Sequence, residues 1–536
     1  MKATCKSIFA VFQIVTFLLA ASYSTGQENG AQLHYHPEGR RMHDTWFLQE
    51  GNTTHVYHLQ MNLPNSSRPD PDNPIGHAVS MDLLHWTEMP PALYPGKPGE
   101  KAYDDGPLFT GSAVLHEGVF YNFYCANHFE SLGPNKPKDR QSMCLAVSHD
   151  GTNFTKYENN PIIEPTRGKY FNWYEEIAPF THHAREWVDC RDMIVIKDPN
   201  SKGWLGYCVM RRKDAKNAFE SSCIVLCRSD DLYHWEVGDP VCSPNRFNCF
   251  EVPDVFELDG RWFMLALTGD SFGQNDRWSD PDITEGTLVF EAESPLGPFT
   301  EVRNNLMLAA KYNKKEGYSA RTVQRNGERL MLFTRKCPDH VGVRLSWPIK
   351  LVANPGKGNG LAPCYWRGCD NAFLAEPHCI PNIEHNQSNE TSPIIHEVTR
   401  HGNRTFLNQM DISGTCEATV LLGSSDDSLD AMTTVKIKRV DEKYRSDDPA
   451  WGNPQRTIPC MVAVISHEGK ELTSRAFNAR ESGINLRIVA DEKFVYVFVD
   501  DILLMDFYAE TLKNGTVTLR AERGTTIQNI TYRATK

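Results

Sequence analysis

Three carboxylates stand at the edges of short apolar runs and lie far apart in the chain. They are Asp44 in Arg41-Met42-His43-Asp44-Thr45-Trp46, Asp192 in Val188-Asp189-Cys190-Arg191-Asp192, and Glu251 in Phe250-Glu251-Val252-Pro253-Asp254. A carboxylate can attack an electrophilic carbon, carry a proton, or stabilise a developing cation. Two or three that converge have the chemistry of glycoside hydrolysis, where one must stay ionised while another holds a proton near neutral pH. Asp254 reads as a structural neighbour of Glu251.

Carboxylates so far apart converge only if the fold brings strand starts to one place. No long amphipathic helical pattern is present. Short β-rich runs such as Val56–Leu59, Val119–Cys125, Trp204–Met210, Ile224–Cys227, Trp262–Leu267 and Leu330–Thr334 alternate with Gly, Pro, Asn and Asp, which predicts an all-β chain. One unit repeats. Ser80-Met-Asp-Leu-Leu-His85-Trp86 returns as Ser229-Asp-Asp-Leu-Tyr-His234-Trp235, more loosely as Ser148-His-Asp150-Gly-Thr-Asn-Phe154, and in degenerate form as Ser294-Pro-Leu-Gly-Pro-Phe299. Each copy follows a strand-like run with a turn and an aromatic residue. The spacing, roughly 70–80 residues, predicts four-stranded propeller blades with insertions. Blade starts then surround one axis, where the three carboxylates would meet.

The propeller is expected over residues 28–346. Residues 347–405, rich in Pro, Gly, Asn, His and Cys, read as a loop-rich connection. From 406 to 536 strand alternation resumes, in runs such as Ala418–Leu422, Thr434–Arg439 and Phe494–Val499, and predicts a β-sandwich.

Composition narrows the function. Residues 1–27 read as a secretory signal: Lys2 and Lys6 precede an apolar run from Ile8 to Ala21, with small residues after it. Without Lys2 and Lys6 the chain has 54 basic and 68 acidic side chains, a net charge of −14. Such a surface argues against nucleic acid or an anionic membrane as partner and is compatible with a neutral sugar. Fourteen cysteines remain beyond the leader, an even number that predicts disulfides in a secreted chain. Eight Asn-x-Ser/Thr sequons, at Asn52, Asn65, Asn153, Asn386, Asn389, Asn403, Asn514 and Asn529, agree with a secretory route and a glycoprotein. His182-His183 lacks partners at ligand spacing, so no metal site is expected. The aromatic stretch Tyr170-Phe171-Asn172-Trp173-Tyr174 could stack on sugar rings or pack between blades.

Several segments, in order along the chain, resemble glycoside hydrolase family 32, the invertase, inulinase and levanase family. Gly76-His77-Ala78-Val79-Ser80 with Asp82, His85 and Trp86 is similar to its first-blade motif, and Phe109-Thr110-Gly111-Ser112-Ala113 to its Phe-Ser-Gly-Ser-Ala segment. Cys144-Leu-Ala-Val-Ser148 with Asn160-Pro161-Ile162-Ile163 resembles the next blade. Arg191-Asp192 stands where the family has Arg-Asp-Pro, and Glu251-x-Pro253-Asp254 where it has Glu-Cys-Pro-Asp. Residues Leu486-Arg487-Ile488 through Asp500-Asp501 resemble the signature of its C-terminal sandwich.

The resemblance implies a five-bladed β-propeller followed by a β-sandwich, and a secreted retaining hydrolase of β-fructofuranosides or a related furanoside. Asp44 would be the nucleophile, Glu251 the general acid and base, and Asp192 the stabiliser of the oxocarbenium-like transition state. Gln60, Phe109, Thr110, Arg191 and His43 would bind substrate. The substrate would be a small sugar or oligosaccharide, no cofactor would be needed, and the chain would be a monomer or homodimer. Several positions depart. Met193 stands for the Pro after Arg-Asp, Val252 for the Cys after Glu, and Asn73-Pro74-Ile75 replaces the usual Trp-Gly. The family's Trp-Met-Asn-Asp-Pro-Asn-Gly is Arg41-Met42-His43-Asp44-Thr45-Trp46-Phe47 here, which rebuilds the shell around the nucleophile. Two alternatives stay open at this level, a catalytically altered relative that binds a glycan or protein, and an inverting glycosidase. A carboxylate separation of ~5–5.5 Å favours retention and ~6.5–9.5 Å inversion.

Overall fold

The computed structural model describes residues 35–62, 73–97, 103–131, 137–164, 169–170, 187–216, 220–245, 250–269, 283–311, 318–336, 343–353, 360–385, 394–399, 405–423, 433–440, 460–467, 470–477, 482–491, 494–508 and 517–535. The expected leader, residues 171–174 of the aromatic stretch, and His182-His183 lie outside them. Among the described residues no helix is long and apolar enough to cross a membrane.

Strands dominate, and four of the blades are separate antiparallel sheets of strands consecutive in sequence. Blade 1 is Arg40–Glu50, Thr53–Asn62, Ile75–Ser80 and Trp86–Leu93. Blade 2 is Leu108–His116, Val119–Ser131, Pro137–Ser148 and Thr155–Lys156, with Trp187–Val188 added in parallel to its third strand. Blade 3 is Cys190–Lys197, Trp204–Arg211, Ser222–Ser229 and Glu236–Cys242; blade 4 is Glu251–Leu258, Arg261–Gly269, Ile283–Ala292 and Thr300–Lys311. Blade 5 takes Tyr318–Arg325, Glu328–Lys336, Ile349–Ala353 and Leu361–Tyr365. The first strand of each blade touches the first strand of the next, and blade 5 touches blade 1, which closes the ring.

The repeated Ser-x-Asp unit turns out to be the link between third and fourth strands. Ser80 Oγ accepts the amides of Asp82 (3.2 Å) and Leu83 (2.8 Å), and Asp82 Oδ1 accepts those of Leu84 and His85 (both 2.8 Å). Ser229 and Asp231 reproduce this pattern in blade 3, and Ser148 and Asp150 in blade 2. Leu83, Gly151 and Leu232 share the same left-handed turn position, with φ of 66°, 71° and 71°. The aromatic that ends the unit then seals its blade against the preceding one. Phe154 meets Tyr57 (5.7 Å between ring centroids), Trp235 meets Phe123 (5.7 Å) and Phe299 meets Tyr207 (6.1 Å). The repeat is therefore packing hardware as well as a turn.

The hydrophobic core is divided accordingly. Separate buried clusters lie between blades 1 and 2, 2 and 3, 3 and 4, 4 and 5, and 5 and 1. The ring is further fastened by Leu345 N–H on Tyr35 O (2.9 Å) and by Arg325 of blade 5 on Asn52 O (3.0 Å) of blade 1.

The 347–405 stretch differs from the expected loop-rich connection. Ile349–Ala353 and Leu361–Tyr365 are the outer half of blade 5, and His378–Ile380, Ile383–Glu384 and Ile394–Thr399 join the sandwich sheets. Their strands are two to six residues long, too short to show alternation between Pro- and Gly-rich neighbours. The sandwich has one sheet running from Ile502–Tyr508 through Phe494–Val499, Ile484–Asp491 and Phe406–Gly414 to Thr525–Ala534. The other contains Ile394–Thr399, Val517–Ala521, Ala418–Leu422, Thr433–Val440, Cys460–His467 and Lys470–Phe477, and one apolar core lies between them.

Blade 5 and the sandwich share a sheet edge at Cys364 and Ile502. Arg487 lies 4.1 Å over the Tyr365 ring and donates to Gln409 Oε1 (3.1 Å) and to Asp501, while Arg335 pairs with Asp506 (2.7 Å). The Leu486–Asp501 segment singled out in the sequence is thus the docking face of the sandwich on the propeller.

Among the described residues eleven cysteines are free thiols, and the side chains of Cys249, Cys337 and Cys460, on which the expected disulfides also bear, lie outside the described ones. Those of blades 2 and 3 are fully buried among strand side chains, with sulfurs turned to carbonyls, as in Cys125 on Cys190 O (3.7 Å) and Cys208 on Arg191 O (3.5 Å). There a thiol packs as a small apolar group. Burial pushes the Cys223 and Cys227 thiols far above their ordinary range, which keeps them unreactive.

Candidate active site

One irregularity recurs at the start of every innermost strand. The register with the second strand slips between Met42 and Thr45, Phe109 and Ser112, Arg191 and Ile194, Glu251 and Asp254, and Tyr318 and Arg321. Each is a β-bulge, with two residues facing one, and a bulge re-aims the side chains it carries. Asp192, Val252 and Ser319 occupy the first bulge position of blades 3, 4 and 5, with φ of 56°, 51° and 53°. Asp44 is the second bulge residue of blade 1, Asp192 the first of blade 3, and Glu251 the residue just before the bulge of blade 4. Three different register positions therefore deliver carboxylates to one region.

Contacts between blades fix them there. Thr110 of the blade 2 bulge donates its hydroxyl to Asp44 Oδ2 (2.7 Å). Asp192 Oδ2 accepts the Val252 amide (3.0 Å) and lies 3.3 Å from Arg191 Nε. Glu251 Oε1 is 3.3 Å from Arg191 Nη2, and its Oε2 accepts the Tyr318 hydroxyl at 3.2 Å. Arg191 also donates to Phe250 O (3.0 Å) and pairs with Asp189. Asp44 and Asp192 are buried, whereas the Glu251 side chain stays partly open.

Burial pushes Asp192 up; the pull of Arg191 opposes this, and the neighbouring Glu251 and Asp44 reinforce it, so the carboxyl reaches about 7. Three carboxylates that sense one another in a closed site cannot all be ionised at neutral pH without cost. That is the condition under which one proton can be held ready for transfer.

The remaining residues singled out in the sequence are placed less uniformly. His43 is half-buried in the blade 1 bulge beside Asp44. Gln60 is buried opposite Met42 on the second strand, pressed against Gly76, where a Cβ would lie 2.1 Å from its Oε1. Any side chain at position 76 would displace it. Phe109 is half-buried and packs against the cores on both sides of blade 2.

Asp189, Tyr318 and Arg321 belong to the same region without having been singled out as site residues. Fully buried Arg321 crosses from blade 5 to Gly111 O (3.2 Å) on blade 2 and to Pro253 O on blade 4, and lies 4.0 Å from Asp254. Asp254 accepts the Thr322 amide (2.8 Å), so it ties blades 4 and 5 together. Tyr318 occupies in blade 5 the register position that Glu251 holds in blade 4, so aligning the inner strands by register would have exposed it.

Thr110→Val removes the hydroxyl that donates to Asp44 while keeping shape. A hydrogen bond to a charged group contributes about 1.5–3 kcal/mol, so turnover should fall roughly 10–100-fold with little change in melting temperature. Steady-state assay and thermal unfolding of the variant check this, and unchanged turnover would remove Thr110 from the site.

Comparison with known proteins supplies the family. The model of the glycosyl hydrolases family 32 N-terminal domain matches residues 34–330, more than half of the chain. Sucrose-6-phosphate hydrolase of Escherichia coli is 33% identical over 239 residues, covering 43% of each chain. Invertase of Schwanniomyces occidentalis is 28% identical over 195 residues, 34% of this chain and 35% of its own. The matched stretch thus spans less than half the length of these two curated relatives. Similar folds are those of a Bombyx mori GH32 beta-fructofuranosidase (TM-score 0.64, 16% identity, 98% of both chains) and exo-inulinase from Aspergillus awamori (TM-score 0.66, 17% identity, 94% of this chain and 98% of that one). The likeness extends through propeller and sandwich alike. The chain belongs to glycoside hydrolase family 32.

Proposed function

We propose that this chain is a secreted glycosidase that hydrolyses β-fructofuranosides, or a related furanoside, by a retaining double displacement. The convergence of Asp44, Asp192 and Glu251 on one propeller axis, each anchored by a different blade, carries this reading. The family supports it, and so do the invertase and levanase names of the curated relatives. The B. mori homologue was solved in complex with sucrose.

In the first step the Asp44 carboxylate attacks the anomeric carbon while Glu251 gives its proton to the glycosidic oxygen. The bond to the leaving alcohol breaks, and a glycosyl ester forms on Asp44. Glu251, now ionised, then takes a proton from water as the water oxygen attacks the same carbon. The ester breaks, Asp44 leaves as carboxylate, and Glu251 is again protonated. Asp192, held by Arg191 and the Val252 amide, binds sugar hydroxyls and stabilises the positive charge on the ring. No metal or cofactor takes part. The leader pattern supports secretion, and Asn52, Asn153 and Asn529 of the sequons are exposed, as glycan carriers must be.

Purified protein incubated with sucrose, inulin, levan and aryl fructofuranosides should release fructose. Proton NMR of the first product should show the anomeric configuration of the substrate. Release of the opposite anomer would replace double displacement by inversion, and no release from any of them would overturn the furanosidase reading.

A further inference from the structure

Asp189 is a fully buried carboxylate that the double displacement leaves unused. It sits one residue before the innermost strand of blade 3 and lies between two guanidinium groups, Arg191 on one side and Arg211 of the neighbouring strand on the other. Arg211 also donates to Ser221 Oγ (3.1 Å), which fixes it at the far end of the pair. Arg191 then points its other nitrogens at Glu251 (3.3 Å), at Phe250 O (3.0 Å) and at Asp192 (3.3 Å). A continuous line of charge runs Arg211, Asp189, Arg191, and from there to both Glu251 and Asp192.

That line resolves a conflict in the site. An unopposed guanidinium 3.3 Å from Glu251 favours the ionised carboxylate, yet a general acid must carry its proton when substrate arrives. Asp189 offsets the Arg191 charge from the side away from the substrate and holds the guanidinium plane by a charge-assisted contact. Other charges also face this group. Asp192 and Asp44 push protons onto the cluster, Arg321 pulls the other way from blade 5, Tyr318 donates to Glu251 Oε2, and the neutral Cys125 thiol and Gln141 complete the surroundings of Asp192 and Arg191. Of the charged groups named, Asp189 contacts Arg191 from the side away from the sugar.

We infer that Asp189 is a positioning residue for the acid/base step: through Arg191 it sets the pH at which Glu251 gives up its proton, and Arg211 sets how much of the Asp189 charge is felt. This rests on the glycosidase reading above. It goes beyond it by assigning control of the alkaline limit to a buried pair of residues outside the substrate pocket.

The test is the pH profile of kcat/KM for sucrose hydrolysis by the full chain, in parent, Asp189→Asn, Asp189→Glu and Arg211→Gln. Asp189→Asn removes a negative charge behind Arg191, so the alkaline limb should move to lower pH by about 0.5–1 unit, with kcat lowered roughly tenfold and KM little changed. Arg211→Gln leaves Asp189 less neutralised, so the same limb should move to higher pH. Asp189→Glu, which keeps the charge, should restore most of the parent profile. A pH-independent loss of folded enzyme leaves the position of a limb unchanged, rates are normalised to the folded fraction read by thermal unfolding at each pH, and opposite signs exclude a common loosening of the site. Unmoved limbs, or limbs moved in the same direction by both neutral variants, would overturn the inference. Two controls separate the readings. A parent that does not hydrolyse sucrose or any other furanoside overturns the glycosidase reading itself. A Glu251→Gln variant with parent-like turnover removes Glu251 as the acid, whereas an inactive Glu251→Gln beside an unmoved Asp189→Asn profile overturns this inference alone.

Discussion

Glu251→Gln should lower turnover of sucrose by about 10²–10⁴-fold, the range in which a positioned proton donor and acceptor contributes. The amide keeps the shape of the carboxyl, its oxygen can accept from Arg191 and its NH2 can donate to the Tyr318 hydroxyl oxygen, so the fold should be undisturbed. The loss should depend on the leaving group. An aryl fructofuranoside with an acidic phenol departs without a proton, so its first step should be nearly unaffected, and the glycosyl ester on Asp44 should accumulate because no base activates water. A burst of phenol equal to the enzyme concentration, followed by slow turnover, is the expected trace. Parent-like turnover of sucrose would exclude Glu251 as the acid.

Asp192→Asn should separate activity from stability. Turnover should fall by at least about 10²-fold, since the group that stabilises charge on the ring is neutralised. Stability should move the opposite way, in a pH-dependent manner. The carboxyl titrates near 3.8 when unhindered, but burial and its acidic neighbours hold it up at about 7 in the folded chain. A group raised on folding stabilises the fold fully below its unfolded value and loses that contribution as pH climbs through its folded value. Asn has nothing to ionise, so its advantage over Asp192 should be absent near pH 4, grow up to about pH 7, and then level off. The difference between 3.8 and about 7 sets the plateau on the order of 4 kcal/mol, a rise of several degrees in melting temperature. The loss of the Arg191 contact works against this gain. The net upward displacement of Asp192 shows that desolvation and the like charges of Glu251 and Asp44 outweigh that contact. A variant less stable than the parent at pH 8 would reverse that ranking.

Both predictions concern residues that are visible in the sequence, because a carboxylate at the mouth of an apolar run is an unusual place for a charge. The Ser-x-Asp unit was equally legible: its side-chain oxygens satisfy backbone amides within four residues, so its geometry is local and repeats wherever its residues do. The loose copy around Asp150 forms the same turn as the close ones. Other features were hidden for a physical reason. The strands of 347–405 that join the sandwich are stabilised by partners more than a hundred residues away, as where His378–Ile380 pairs with Thr525–Ala534 and Ile394–Thr399 with Val517–Ala521, so composition outweighed them. The cysteine count pointed to disulfides, yet whether two thiols meet depends on the packing of blades. Nothing in the local residues announced Tyr318 or Asp189, because each matters through a residue on another strand or blade.

By itself the sequence determined the strand-rich repeat, the three carboxylates and the family to which the chain belongs, since these follow from local hydrogen bonding, hydrophobic patterning and ordered motifs. The tertiary structure decided which register position of each bulge faces the axis, that Thr110 grips Asp44, that Arg191 is shared between Asp192 and Glu251, and that Asp189 and Arg211 stand behind it. Those contacts depend on closure of the ring, in which bulges from separate blades approach to hydrogen-bonding distance and water is excluded. Proton affinity in such a place is a property of the whole cluster, and no single segment of the chain carries it.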